Sequence, residues 1–182
     1  ALCKRQGNVV TESIRTWKNL DLMQLTGAVV AEYQVLPPSE QPKEILVDSI
    51  GLGAGVVDRL RELGLPARGI NVSESPAMGG TYRNLKAELW YRAKAWLEAR
   101  DCKLAKDDVL ISELATVRYT FTSNGKIAIE GKDEIKKRGL PSPDKADAFV
   151  LTFASDAIAG MYGSSASSKW SQPLRRNLSR TA

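Results

Sequence analysis

The stretch Glu44-Ile-Leu-Val-Asp48-Ser-Ile-Gly51-Leu-Gly53-Ala-Gly55 decides the fold class. A short apolar run closed by an acid, then three glycines in five residues, reads as a buried strand entering a glycine loop and a helix. That helix is expected over residues 56–63, with the next strand at 68–72. Asp48 stands where the strand ends, and in open α/β sheets the groups at carboxyl ends of strands face the ligand crevice. The bland reading of Asp48 is a cap on the following turn. Two sharper ones are weak: the chain has no GxxxxGK[ST] loop for an ATPase, and GxGxG is not the GxGxxG of a dinucleotide site.

Outward from this stretch, residues 1–17 turn at Gly7-Asn8 and predict two strands of a hairpin. Asp21 is placed to cap a helix over Leu22–Gln34, ended by Pro37 and Pro38. Residues 73–81 form a loop. Residues 84–100 carry the clearest amphipathic pattern, apolar at Leu85, Leu89, Trp90, Ala93, Trp96 and Leu97. Arg83, Lys86, Arg92 and Lys94 then fall on its wet side, and Trp17, Trp90 and Trp96 in the core. A helix is expected over 107–115, and a second hairpin from 117–122 and 126–130 around Ser123-Asn-Gly125. A charged stretch, 132–138, leads to a last helix opening at Asp144 and running to about Ala159. Residues 160–182 hold Ser, Lys169, Arg175, Arg176 and Arg180 without an acid, the pattern of a flexible basic tail in which Trp170 is a candidate docking anchor. The expected architecture is an α/β domain, 1–159, with a mixed β-sheet flanked by helices, followed by the flexible tail.

The chain contains no His among 182 residues. This excludes Ser–His and Cys–His nucleophilic mechanisms, HExxH zinc chemistry and any imidazole base. Cys3 and Cys102 lie far apart without CxxC spacing, so neither a zinc site nor a disulfide framework is expected, and a reducing cytoplasm is the expectation. No run of eighteen apolar residues occurs, which excludes a membrane span. A net charge of +5 favours a polyanionic partner.

Chemistry must therefore run on carboxylates, lysines, tyrosines or a bound ion. Asp144 and Asp147 are spaced i, i+3 in the first turn of the last helix and share a face, which continues into Ala148 and Leu151. Acids at a helix start are often caps that favour the dipole. Asp147, however, lies among Ala146, Ala148, Phe149 and Val150, and a carboxylate so placed wants a cation. Without His or Cys ligands the ion is a hard one, Mg²⁺ or Mn²⁺. Two such ions about 4 Å apart would suit phosphodiester hydrolysis. Lys132, Lys136, Lys137 and Arg138, just before this helix, are candidate phosphate contacts or a solvated charged face.

Three blocks carry a resemblance: Gly51-Leu-Gly-Ala-Gly-Val-Val-Asp58-Arg-Leu after Asp48, Tyr82-Arg-Asn84-Leu-Lys-Ala-Glu88-Leu-Trp90, and Lys132-Asp-Glu-Ile-Lys-Lys-Arg138-Gly-Leu-Pro-Ser142-Pro-Asp144-Lys-Ala-Asp147-Ala. In this order they resemble the nuclease domain of the terminase large subunit of tailed bacteriophages, over residues 1 to about 155. The last block also resembles the helix start of Holliday-junction resolvases. The resemblance implies an RNase H-like fold and a metal-dependent endonuclease that cuts concatemeric double-stranded viral DNA during genome packaging. It implies Asp48, Asp144 and Asp147 as catalytic and metal-binding residues, with no organic cofactor. It also implies an N-terminal ATPase domain, a small terminase subunit and a portal protein as partners, in the host bacterial cytoplasm. Members carry a further catalytic Asp on a strand before the hairpin, so this strand is expected to precede Ala1. Two rival expectations remain: a non-catalytic DNA- or portal-docking module, and a resolvase-like nuclease.

Overall fold

The computed structural model describes residues 1–155. The expected tail, and the last helix beyond Ser155, lie outside the described residues. The first hairpin pairs β1 (Arg5–Gln6) with β2 (Val9–Val10) around Gly7 at φ 54°. Helix α1 (Leu22–Gln34) starts at Asp21, whose carboxylate accepts the Gln24 N–H while Gln24 returns a bond to the Asp21 N–H. Two orphan donors are thereby satisfied at once. Strand β3 (Ile45–Asp48) runs parallel to β4 (Ala67–Ile70), with Asp48 opposite Ile70 and α2 (Gly53–Glu62) as the crossover.

Helix α3 (Leu85–Glu98), capped by Asn84, is followed by α4 (Asp108–Thr116), capped by the carboxylate of Asp107. The second hairpin pairs β5 (Tyr119–Phe121) with β6 (Ile127–Ile129). Residues 132–138, expected only as a charged stretch with no element assigned, include the short helix α5 (Lys132–Lys137). Helix α6 spans Asp144–Leu151 and tightens into a 3-10 turn at Thr152–Ala154, so its α-helical part ends well before Ala159.

The mixed sheet is realised as three two-stranded pieces, two antiparallel and one parallel, among the described residues. Isolated bridges Val9–Lys103 and Tyr82–Ile127 tie the outer pieces to the helical layer. The main core packs Val10 and Ile14 against Leu89, Trp96, Leu110, Phe149 and Phe153, all nearly inaccessible. A second core sits between α1, α2, β3 and β4 around Ile45, Val56 and Leu60. This is an α/β fold with short sheets flanked by helices, as expected. Helix α6 packs against β3, α3 and α4 and so sets the last acids beside those elements.

Candidate metal centre

Helix α6 buries Ala146, Phe149 and Val150, continued by Phe153. The packed stripe is thus offset by two residues, more than half a turn round the helix, from the Asp144–Asp147–Ala148–Leu151 face that helical spacing suggested, and the acids lie off it: Asp144 is exposed and Asp147 partly covered. Pro143, the residue before the helix, gives no side-chain cap. Instead Glu113 of α4 reaches across, and its Oε2 accepts the Ala146 N–H at 2.8 Å. The Lys145 N–H bonds the same carboxylate. An external acid thus satisfies the first-turn donors, which leaves both Asp144 and Asp147 side chains free for cations.

Those cations are lysines. Lys132 Nζ of α5 lies 3.4 Å from Asp144 Oδ1 and 3.4 Å from Asp147 Oδ2. Lys86 Nζ of α3 lies 3.6 Å from the other oxygen of Asp147, Oδ1. Asp144, also held by the Ser142 hydroxyl at 2.7 Å, is 61% exposed, whereas Asp147 is 27% exposed. Burial alone would lower the Lys132 pKa, but Asp147 and Asp144 outweigh it and hold the ammonium above its usual range. Burial, reinforced by the charges of Asp144 and Asp147, raises the Glu113 pKa against its two backbone hydrogen bonds.

Asp48 ends β3 and accepts the Ile50 N–H at 3.2 Å, the turn-capping bond that its place in the sequence suggested. The loop holding it is set by Gly53, where an added Cβ would lie 1.7 Å from the Asp48 carbonyl oxygen. Only glycine permits that approach. Among the described residues no three acids or cysteines gather closely enough to hold a metal ion. Asp144 and Asp147 converge on one point, and Asp48 stands apart from it.

The basic candidates divide. Lys132 contacts the acids. Lys136 and Lys137 are exposed. Arg138 is committed elsewhere, binding both oxygens of the buried Glu130 and the Thr116 carbonyl. Two residues assigned to the wet side of α3 are not there: Lys86 joins the acid site, and Arg92 pairs with the buried Glu88 and donates to the Phe153 carbonyl. Arg83 and Lys94 are exposed as expected. Helical spacing gave no signal for Lys86, because its partner lies 61 residues away on another helix.

An all-oxygen pair converging on one ammonium fits a hard cation, since Lys132 Nζ already marks a position where positive charge sits between two carboxylates. No protein-family model matches the chain, and no curated protein does. Solved structures do. The nuclease domain of the large terminase subunit gp2 of bacterial virus Sf6 superposes with a TM-score of 0.70 at 23% identity, covering 83% of this chain and 80% of that one. The fold is that of a terminase nuclease domain. The large terminase nuclease of thermophilic phage G20c, solved with bound magnesium, gives a TM-score of 0.52 at 16% identity over 85% and 90% of the two chains. The same G20c nuclease was solved with cobalt, and a variant of the Sf6 domain with manganese. The terminase-nuclease fold was the expectation raised by the three sequence blocks.

Proposed function

We propose that this chain is a divalent-metal-dependent nuclease domain of a viral DNA-packaging terminase, acting on double-stranded DNA. The observation that supports it best is the convergence of Asp144 and Asp147 on a single cation position in a fold whose solved examples bind magnesium, manganese and cobalt. Asp147 and Asp144 would hold Mg²⁺ or Mn²⁺, and Asp48, which stands apart from them in this structure, would have to move toward the pair to serve as a further ligand from β3. A bound ion supplies Lewis-acid charge for the phosphoryl oxygens and for the attacking water, and a second ion would extend this to the leaving oxygen.

The chain's own residues do the rest. Glu113 fixes the α6 start so that both carboxylates keep one orientation. Lys132 neutralises the acid pair and, with Lys136 and Lys137, offers positive charge to the DNA backbone. Arg138 serves by locking α5 to Glu130, so that Lys132 is presented from a fixed helix. Concatemer cutting, the ATPase domain, small subunit and portal as partners, the host cytoplasm, and a domain over 1–159 with a basic tail follow as parts of the same proposal.

One observation favours a second reading, a DNA- or portal-docking module without catalysis: no three-ligand group is assembled among the described residues. A single experiment separates the two. The nuclease should nick supercoiled plasmid in Mn²⁺ buffer, and Asp48→Ala or Asp147→Ala should abolish nicking while the thermal transition persists. Nicking unchanged in either variant would overturn the assignment of that residue. Salt-sensitive DNA binding with no Mn²⁺ uptake by the wild-type chain would establish the docking module instead.

A further inference from the structure

Lys86 is held more rigidly than a solvent-facing lysine. Its backbone N–H donates to the Val72 carbonyl at 2.8 Å, and the preceding Leu85 N–H donates to Glu74 at 2.9 Å. Asn84 caps the same turn by accepting the Ala87 N–H. The side chain is 21% exposed, so the stem is largely packed and the ammonium alone faces the acid site.

Asp147 is addressed from both sides, Lys132 on Oδ2 and Lys86 on Oδ1. Apart from Glu113, which is engaged on the α6 backbone, the two carboxylates and two ammoniums of the site are charge-balanced. A divalent cation placed between Asp144 and Asp147 adds two positive charges to that balance, and ammoniums within 4 Å of those carboxylates are then repelled. The two lysines differ in what happens next. Lys132 occupies the shared cation position itself and must leave it. Lys86 meets Asp147 at Oδ1, the oxygen Lys132 does not hold, from a fixed helix start, and stays within reach of the site. The anion that restores the balance is a DNA phosphate.

We propose that Lys86 is a substrate-contacting residue: when a divalent cation takes over Asp147, the Lys86 ammonium transfers from the carboxylate to a non-bridging oxygen of the DNA phosphate. This rests on the nuclease reading and adds a residue to it. A lysine there combines positioning with stabilisation of charge building on the phosphoryl oxygens.

The test uses the full chain and the variants K86A and K86R, with thermal melts to confirm folding. Three quantities are read: Mn²⁺ binding from the electron paramagnetic signal of the free ion, plasmid nicking as kcat and KM, and the salt dependence of duplex binding in Ca²⁺. For K86A, Mn²⁺ affinity should equal or exceed that of the wild type, because a competing cation is gone. Nicking should fall on the order of a hundredfold, and the slope of log affinity against log salt should shrink by about one. K86R should recover most of both. Unchanged nicking and an unchanged salt slope in K86A would overturn the proposal. So would Mn²⁺ affinity falling in step with nicking, which would make Lys86 a prop for Asp147. A wild-type chain that never nicks defeats the nuclease reading alone, because the salt slope still decides whether Lys86 meets the phosphate.

Discussion

Removing Asp147 leaves Lys86 and Lys132 facing each other with no carboxylate between them, whereas removing Asp144 leaves Lys132 its partner on Asp147. The two acids therefore differ in weight. Asp147→Asn should reduce Mn²⁺ affinity by more than about a hundredfold and Asp144→Asn by about tenfold, the smaller loss being typical of an outer partner. Calorimetric titration with Mn²⁺ checks the order, and equal losses would refute it. Gly53→Ala is the corresponding test at Asp48. Its Cβ would collide with the Asp48 backbone, so the loop must shift, at a cost of about 2–4 kcal/mol by analogy with overpacking and backbone strain. A thermal melt of the variant should show that loss. Asp48 and Asp147 drew notice in the sequence as acids set against a glycine turn and apolar neighbours, and Asp144 as the partner of Asp147 on the same helix; the structure brings Asp144 and Asp147 to one lysine, and the place of Asp48 in that site is a proposal. Lys86 and Arg92 were not, because helical periodicity puts them on an outer face and only distant partners, Asp147 and the Phe153 carbonyl, redefine that face as inner.

Helix α6 carries the acids on an eight-residue element that Glu113 caps from outside and Phe149 anchors from below. Glu113→Ala should cost about 1 kcal/mol, the usual price of a lost N-cap. It should also weaken Mn²⁺ binding, because the first turn carrying Asp144 and Asp147 would fray. Stability without a change in Mn²⁺ binding would show that the carboxylates are set by packing alone. Phe149→Ala removes a fully buried ring that meets Trp96 and Phe153 at 5.6 and 5.3 Å between centroids. Chemical denaturation should register about 3–5 kcal/mol. Elements were read well where a side chain declares the boundary: Asp21 caps as expected, and Asn84 and Asp107, which opened the expected ranges 84–100 and 107–115, prove to be the caps of those helices. Helix α5 went unread, although Asp133 and Glu134 at its start and Lys136 and Lys137 at its end match the helix dipole. The last helix was drawn too long, because its apolar pattern continues past the residue where the backbone tightens into a 3-10 turn.

The molecule as a whole is stapled by buried acids paired with bases, and these set its response to pH. Burial alone would raise the Asp107 and Glu130 pKa values. Bonds from Lys145, Leu110 and Ile14 to Asp107, and from Arg138 and Arg118 to Glu130, outweigh burial and hold both below their ordinary 3.8 and 4.5. Their stabilisation is therefore complete above those values and is lost as the pH falls through the lowered ones. Glu113 has the opposite sign: its raised pKa favours the fold below its ordinary 4.5 and that contribution fades as the pH rises through the raised value. Denaturation midpoints should fall steeply below about pH 4, and Glu130→Gln should flatten that fall. A midpoint equally steep in the variant would remove Glu130 as a cause.

The aromatic packing behind α6 has a practical corollary. Trp96 is 1% exposed, donates its indole N–H to Asn8, and lies against Phe149, less than one helical turn from Asp147. The protein thus carries its own fluorophore in the core on which α6 packs. Its contribution, beside that of Trp17, Trp90 and Trp170, should stay blue-shifted on the loss of any single acid and red-shift when the core opens. Every variant that fails to cut DNA then reports, from the same cuvette and without a label, whether it failed as a catalyst or as a fold.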